Sequence, residues 1–184
     1  AMLPEIYQRI KAANPNFKGF VVQTTAAQLK KMDPEFLQKA GIRHVEIGVE
    51  SYNDSILRAH KKPANEQLID ESAQKLRNAG IGLIPNIMVG LPGEDQNTYK
   101  RTMDWLNRNS DIVSHVNAYN LALYDESELG KKIGALSNAD KDENQITKSF
   151  HVNPQVHKDF ANELFAYASR QLDKHPNVDA TAKN

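Results

Sequence analysis

The chain has 184 residues and a formal net charge of zero, which excludes the positive field that draws a protein to nucleic acid or to acidic membranes. No apolar run approaches the roughly 18 residues of a membrane span, and no signal-peptide pattern is present. The sequence contains no cysteine, which excludes disulfides, thiolate zinc sites and a cysteine nucleophile. We therefore expect a cytoplasmic protein with no nucleic-acid or membrane partner.

The hydrophobic pattern predicts strands alternating with helices. In chain order it predicts a helix over 3–13, a strand over 20–22, a helix over 34–40, a strand over 44–49, a helix over 65–79, a strand over 81–89, a helix over 95–107, a strand over 113–119, a loop over 124–150 and a helix over 154–172. Asp33 before a proline and Asn65 are typical helix N-caps, and Gly80 is a typical terminator. These signals fix the boundaries of two helices.

Strands that alternate with helices and meet at short connections indicate βαβ units and a parallel sheet. A doubly wound open sheet and an arc of a barrel both satisfy this pattern. A Rossmann nucleotide site would need a glycine-rich turn after the first strand, and residues 23–25 do not form one. We therefore predict an α/β fold, a partial (β/α) TIM-type barrel over 1–123, followed by a loop-rich connection over 124–153, a helix over 154–174 and a tail over 175–184.

Four strands cannot close a barrel, so both edges of the predicted sheet are left open. Such edges predict either self-association or coverage by the last helix.

In both architectures ligands bind at the carboxyl ends of the strands. Candidate cofactor-binding residues follow or end all four strands, and they are Gln23 and Thr25, Glu50 and Ser51, Gly90 and Pro92, and Asn117 and Tyr119. The carboxylate of Glu50 could accept two hydrogen bonds from a ribose diol, or it could be a solvated loop acid. Glycine at position 90 lets the backbone approach a ligand, and the alternative is that 90–94 form a rigid turn into a helix capped by Glu94.

Three further features have two interpretations each. Asn86 stands in an apolar strand and needs a hydrogen-bond partner, for which a ligand and a backbone carbonyl are equally open. Residues 51–54 could serve only to cap a short helix through Leu57. The basic run 58–62 is interpreted as solvated rather than anion-binding, and the other histidines have no spacing that indicates a metal site. No catalytic residue and no metal ligand are assigned.

Residues 41–51 (GIRHVEIGVES), 76–81 (LRNAGI) and 87–94 (IMVGLPGE) resemble the radical S-adenosylmethionine superfamily. Within it the sequence most resembles the branch of methylthiotransferases, oxygen-independent coproporphyrinogen oxidase and the B12-dependent anaerobic magnesium-protoporphyrin ester cyclase. The resemblance covers about residues 20–129. It implies a partial (β/α)₆ barrel in which a CxxxCxxC loop holds a [4Fe–4S] cluster. The cluster cleaves S-adenosylmethionine to a radical that abstracts hydrogen from a small-molecule substrate.

The resemblance also implies roles for individual residues. Glu50 and Ser51 would contact the ribose or amino-acid end of S-adenosylmethionine, and Gly90 would pack near the adenine. Gln23 or Thr25 would approach from the first strand, and Asn117 and Tyr119 would face adenine or substrate. Asn86 and Met88 depart from the glycine and isoleucine of the adenine-contacting strand.

Because the chain lacks cysteine, it cannot ligate the cluster of that family. The sequence is therefore interpreted as an inactive fragment of a longer radical S-adenosylmethionine enzyme. The full-length protein would carry S-adenosylmethionine and [4Fe–4S], and a cobalamin domain could lie outside this chain. The fragment should bind no cluster and bind S-adenosylmethionine weakly if at all. The alternative is a non-catalytic (β/α) module that binds a small molecule or a protein. A metal-free enzyme using Glu50 as acid or base is disfavoured because no second acid or base was found for it.

Overall fold

The computed structural model describes residues 2–121, 123–124, 127, 130–131, 146–147 and 154–174. Within these residues the elements are, in chain order, α1 (Met2–Ala13), β1 (Phe20–Thr24), α2 (Ala26–Lys31), α3 (Pro34–Lys39), β2 (Ile42–Glu50), α4 (Asp54–Ala59), α5 (Glu66–Ala79), β3 (Gly82–Val89), α6 (Gln96–Arg108), β4 (Asn117–Asn120), β5 (Leu123–Tyr124), β6 (Ile146–Thr147) and α7 (Pro154–Lys174). The predicted tail over 175–184 and most of the predicted loop over 124–150 lie outside the described residues.

Strands β1 to β4 form one sheet in the order of the sequence, and every neighbouring pair is parallel. The sheet curls into a half-barrel, which confirms the predicted partial (β/α) barrel. A small antiparallel pair joins β5, which lies at the boundary of the predicted barrel part and the predicted loop, to β6 within that loop. The parallel order places the carboxyl ends of all four strands along one edge of the sheet.

The two faces of the sheet differ because side chains alternate along each strand. Val45, Ile47 and Val49 of β2 are buried beneath the helices. The alternate residues of β2, including Glu46 and Gly48, are half-buried and point to the opposite face. We call this opposite face the concave face.

The core lies between the sheet and a layer of helices. Its largest fully buried side chains come from both layers, and they include Ile47, Leu76, Leu83, Trp105 and Leu164. Helix α7 packs against α6, β3 and β4, and the Tyr167 hydroxyl donates a 2.7 Å hydrogen bond to the carbonyl of Leu106. Apolar surface buried between the two layers stabilises the fold by roughly 25 cal/mol per Å².

The predicted capping signals are confirmed. Asp33 caps α3, Asn65 caps α5, and Gly80 ends α5 in the left-handed conformation at φ 64°. Of the two alternatives for residues 90–94, the cap at Glu94 is not found. Asp95 caps α6, and its side chain accepts hydrogen bonds from two backbone N–H groups. Glu94 is buried.

Strand β4 starts later than predicted. The chain pairs with β3 at Val113 through a single bridge and regains pairing only at Asn117. Helix α7 contacts β4, the last strand of the sheet, whereas self-association through an open edge stays a prediction. None of the helices in the described ranges is both long and apolar enough to cross a membrane.

Candidate functional site

Glu50 and Gly90 emerge at the same edge of the sheet. Glu50 is the last residue of the nine-residue strand β2, and Gly90 directly follows β3, its parallel neighbour. The register between the two strands shifts between Gly48 and Glu50. The carboxyl ends of β2 and β3, which both belong to the predicted site, therefore lie next to each other, as predicted.

The backbone at Glu50 is strained. Its φ is 63°, in the left-handed region that non-glycine residues rarely adopt. The N–H of Ser51 donates a 2.8 Å hydrogen bond to the carbonyl of Val49, which closes a three-residue γ-turn around Glu50. Strain of this kind persists where the surroundings enforce it, and it concentrates at binding sites.

The turn directs the Glu50 carboxylate back over the strand. A Cβ added to Gly48 would lie 3.1 Å from Oε1 of Glu50, so only glycine leaves the carboxylate its full space. The ammonium of Lys62 lies 3.2 Å from the same oxygen, and the Glu50 side chain is 19% exposed. Lys62, which belongs to the run interpreted as solvated, thus contributes a cation to this strand end.

The loop after β3 is held by two side chains. The N–H of Gly90 donates a 2.9 Å hydrogen bond to the hydroxyl of Tyr99, which also contacts Nδ1 of His157 in α7. Nε2 of His60 donates a 2.9 Å hydrogen bond to the carbonyl of Pro92. Gly90 adopts φ 95°, which a side chain would oppose. The peptide at the end of β3 is therefore fixed from behind by α6 and α7.

A buried carboxyl group lies beneath this loop. Glu94 is 6% exposed, and neither of its carboxylate oxygens has a hydrogen-bond partner among the described residues. Burial raises the pKa of Glu94 to about 7, and the nearby Ser51 and Tyr99 hydroxyls offset part of that rise without reaching hydrogen-bond geometry. Burial also raises the pKa of Tyr99. Glu94 therefore changes its charge near neutral pH.

Four polar side chains form a continuous hydrogen-bonded row across the concave face, which we call the polar row. Gln23 Nε2 donates to Glu46 Oε1 at 3.2 Å, and Asn86 Nδ2 donates to the same oxygen at 2.8 Å. Asn117 Nδ2 donates to Asn86 Oδ1 at 2.9 Å. Each member comes from a different strand, so the row spans the whole sheet.

The polar row corrects one expectation and adds one residue. Asn86 is bonded to the side chains of Glu46 and Asn117, and not to a backbone carbonyl. Sequence reasoning missed Glu46. The signal was present, because His44, Glu46, Gly48 and Glu50 occupy every second position of β2 and so define one polar face.

The remaining predicted residues lie in different surroundings. Thr25 caps α2 and accepts from the N–H of Gln28. Ser51 is buried beside Glu94, and its hydroxyl has no partner in the described part of the chain. Tyr119 lies on the concave face and is 49% exposed. The structure thus brings Gln23, Asn86 and Asn117 together, with Glu50 and Gly90 at the adjacent edge, while the roles of all these residues toward a cofactor stay predictions.

Nearer the amino ends of the strands, the concave face has a second polar contact. Nδ1 of His44 lies 2.9 Å from the hydroxyl of Ser114. A Cβ at Gly82 would clash with the His44 ring at 2.3 Å, so glycine is required there.

Barrel proteins bind their ligands at the carboxyl ends of the strands, which is where the strained turn at Glu50 and the loop at Gly90 lie. A family model described as the Radical SAM superfamily matches residues 1–106. The chain belongs to the radical SAM superfamily. No curated protein matches the sequence.

Solved structures agree on the fold. Coproporphyrinogen III oxidase (HemN) from Escherichia coli matches at 15% identity with a TM-score of 0.56, over 92% of this chain and 37% of that one. Elp3 from Methanocaldococcus infernus matches at 20% identity and a TM-score of 0.60, over 82% and 32%. The methyltransferase TsrM from Kitasatospora setae, solved with tryptophan and a SAM analogue, matches at 20% identity with a TM-score of 0.54. That match covers 72% of this chain and 26% of TsrM. The chain spans well under half the length of each.

The family implies two cofactors, and this chain's residues fit one of them. A [4Fe–4S] cluster needs cysteine thiolates, and the sequence has no cysteine. In the described ranges no group of three or more His, Asp or Glu side chains is placed to hold a metal ion. S-adenosylmethionine, in contrast, needs hydroxyl acceptors and a close backbone approach, which Glu50 and Gly90 offer at one edge.

Proposed function

We propose that this chain supplies the S-adenosylmethionine- and substrate-lining half of a radical SAM barrel and is inactive by itself. The full-length enzyme would carry the cluster on residues outside this chain and start radical chemistry on a small organic substrate. The observation that carries the proposal is the strained turn at Glu50 beside the end of β3. A turn of this kind serves to place one side chain at a ligand.

The charges at this edge suit an amino-acid nucleoside. The carboxylate of Glu50 has a second oxygen that can accept from a ribose hydroxyl, while Oε1 is held by Lys62. The Lys62 side chain is 36% exposed, so its ammonium can also attract a carboxylate on the ligand. The fixed peptide at Gly90 offers a flat backbone surface for a base.

Equilibrium dialysis with labelled S-adenosylmethionine tests this proposal. We expect weak binding, in the millimolar range, because the cluster that would hold the amino-acid end is missing. Glu50→Gln should reduce the affinity about tenfold, since it removes a charge-assisted acceptor. Glu35→Gln on α3 is the matched control, because Glu35 has a side chain 74% exposed and lies on another helix.

Two results contradict the proposal. Micromolar binding by the isolated chain would show that it needs no cluster to hold the cofactor. Equal affinity in Glu50→Gln and Glu35→Gln would show that the strained turn does not contact the ligand.

A further inference from the structure

We infer that Glu46 binds a positively charged ammonium group of an organic substrate on the concave face. That the ligand is the enzyme's substrate rests on the proposed function. The ammonium site itself depends only on the polar row.

The polar row holds one carboxylate oxygen and leaves the other open. Oε1 of Glu46 accepts from both Gln23 and Asn86. Oε2 has no hydrogen-bond or ion-pair partner among the residues that the structure describes. Because a carboxylate is planar, two donors on one oxygen also fix the direction of the other. Oε2 is therefore a preorganised acceptor.

The row uses one of the two N–H groups of each amide nitrogen. Asn86 donates one hydrogen bond to Glu46, and its oxygen accepts one from Asn117. Gln23 donates one to Glu46, and Asn117 donates the one to Asn86. Each amide keeps a second N–H group, and the one charged atom that the row offers a ligand is the carboxylate oxygen Oε2 of Glu46.

The charge balance of this face selects an ammonium over a neutral hydroxyl. Two carboxylates of β2 point to the concave face, Glu46 and Glu50, on either side of Gly48. Glu50 is neutralised by Lys62, whereas no ion pair of Glu46 is found within the described ranges. The negative charge of Glu46 is therefore not balanced by a cation in these ranges, and a ligand cation would be attracted to it. A protonated amine also donates hydrogen bonds directly to Oε2.

Nuclear magnetic resonance on the ¹⁵N-labelled 184-residue chain tests the inference through the side-chain NH₂ signals of Gln23 and Asn86. The probe is n-propylammonium chloride, with propan-1-ol as the neutral control of equal size. In the wild-type chain we expect saturable shifts of both signals with the ammonium and none with the alcohol. Glu46→Gln keeps an acceptor for both amides and removes the charge, so the affinity should fall about tenfold. Glu35→Gln should leave it unchanged.

Equal shifts from the ammonium and the alcohol would overturn the inference, and this comparison needs no variant to fold. Unchanged affinity in Glu46→Gln would also overturn it.

The cofactor's own amino group is a second source of ammonium. 5′-Methylthioadenosine lacks that group and S-adenosylhomocysteine carries it. S-adenosylhomocysteine could shift the Gln23 and Asn86 signals and compete with propylammonium while 5′-methylthioadenosine does neither. In that case the ammonium site belongs to the cofactor, and its assignment to the substrate is wrong. Binding of both nucleosides at Glu50 and Gly90 tests the proposed function separately.

Discussion

The amide nitrogen of Asn86 donates a 2.8 Å hydrogen bond to the Glu46 carboxylate, and this contact joins the two central strands on the concave face. Glu46 and Asn86 are not paired in register, since Glu46 lies beside Ile84 and Asn86 beside Gly48. The bond therefore runs diagonally between β2 and β3. The glycine between the two acids leaves room for the Glu50 carboxylate, since a Cβ at Gly48 would lie 3.1 Å from its Oε1.

Exchanging the two central groups of the row should preserve it. Asn86→Asp alone places two carboxylates together and should destabilise the fold by about 2 kcal/mol at pH 7. Glu46→Gln alone should cost about 1 kcal/mol or less, because an acceptor oxygen remains. In the double variant the amide at position 46 can donate to the carboxylate at position 86. Urea denaturation should show a favourable coupling of about 1–2 kcal/mol, and additive effects would contradict the observed bond.

The buried carboxyl of Glu94 should make stability depend on pH. Its pKa is about 7 in the folded chain, above the value of an unfolded glutamate, so the folded state binds the proton more tightly. The stability that this proton supplies is complete at pH 4 and is lost as pH rises from about 4.5 through 7. The loss from this group is about 3 kcal/mol.

Glu94→Gln isolates that effect. The free energy of unfolding is measured by urea denaturation at pH 5 and at pH 8. At pH 5 we expect similar values for the wild-type chain and the variant. At pH 8 the variant should be the more stable, by up to about 3 kcal/mol. Comparing the two proteins removes the pH dependence that they share. Parallel pH curves would show that Glu94 is solvated.

The strain at Glu50 should appear as a difference between two substitutions that both remove its carboxylate. Glu50→Gly relieves the left-handed backbone, and Glu50→Ala retains it. We expect the glycine variant to be the more stable by about 1 kcal/mol, after allowing for the greater freedom of glycine in the unfolded chain. Both variants should lose affinity for S-adenosylmethionine equally. An alanine variant as stable as the glycine variant would refute the strained turn.

The Tyr99 hydroxyl should matter more than another buried tyrosine hydroxyl. Tyr99→Phe leaves the N–H of Gly90 without its acceptor and should cost about 2 kcal/mol. Tyr52→Phe is the control. The Tyr52 hydroxyl donates to the exposed Asp70, and in the variant Asp70 still accepts a hydrogen bond from the indole N–H of Trp105. That change should cost about 1 kcal/mol or less. Thermal unfolding compares the two, and equal costs would contradict the proposed anchoring of Gly90.

Local signals in the sequence predicted the fold well where one residue determines a boundary. Asp33, Asn65 and Gly80 act as their chemistry requires, because capping depends on groups within a few residues. Helix α2 was not predicted, because its six residues are too few to show a helical period. The start of β4 was misplaced, because whether Ser114 to Val116 pair with β3 is decided by tertiary contacts.

The candidate site was predictable at its edge and not in its interior. Glu50 and Gly90 follow strands, and parallel strands end together, so their proximity follows from topology. The partner of Asn86 depends on which residues of β2 and β4 lie beside β3, which is a matter of register. The burial of Glu94 depends on tertiary contacts, among them the one with Ser51, which directly follows β2. No local pattern contains that information.

The most direct test of the account is to map where S-adenosylhomocysteine binds, by backbone amide shifts of the ¹⁵N-labelled chain. The account predicts that the largest shifts fall at Glu50 and Gly90, at the carboxyl ends of β2 and β3. It is contradicted if the shifts fall at the opposite edge, in the cavity lined by Arg43, Gly80 and Ile112, or in the groove between α6 and α7 lined by Met103 and Phe160.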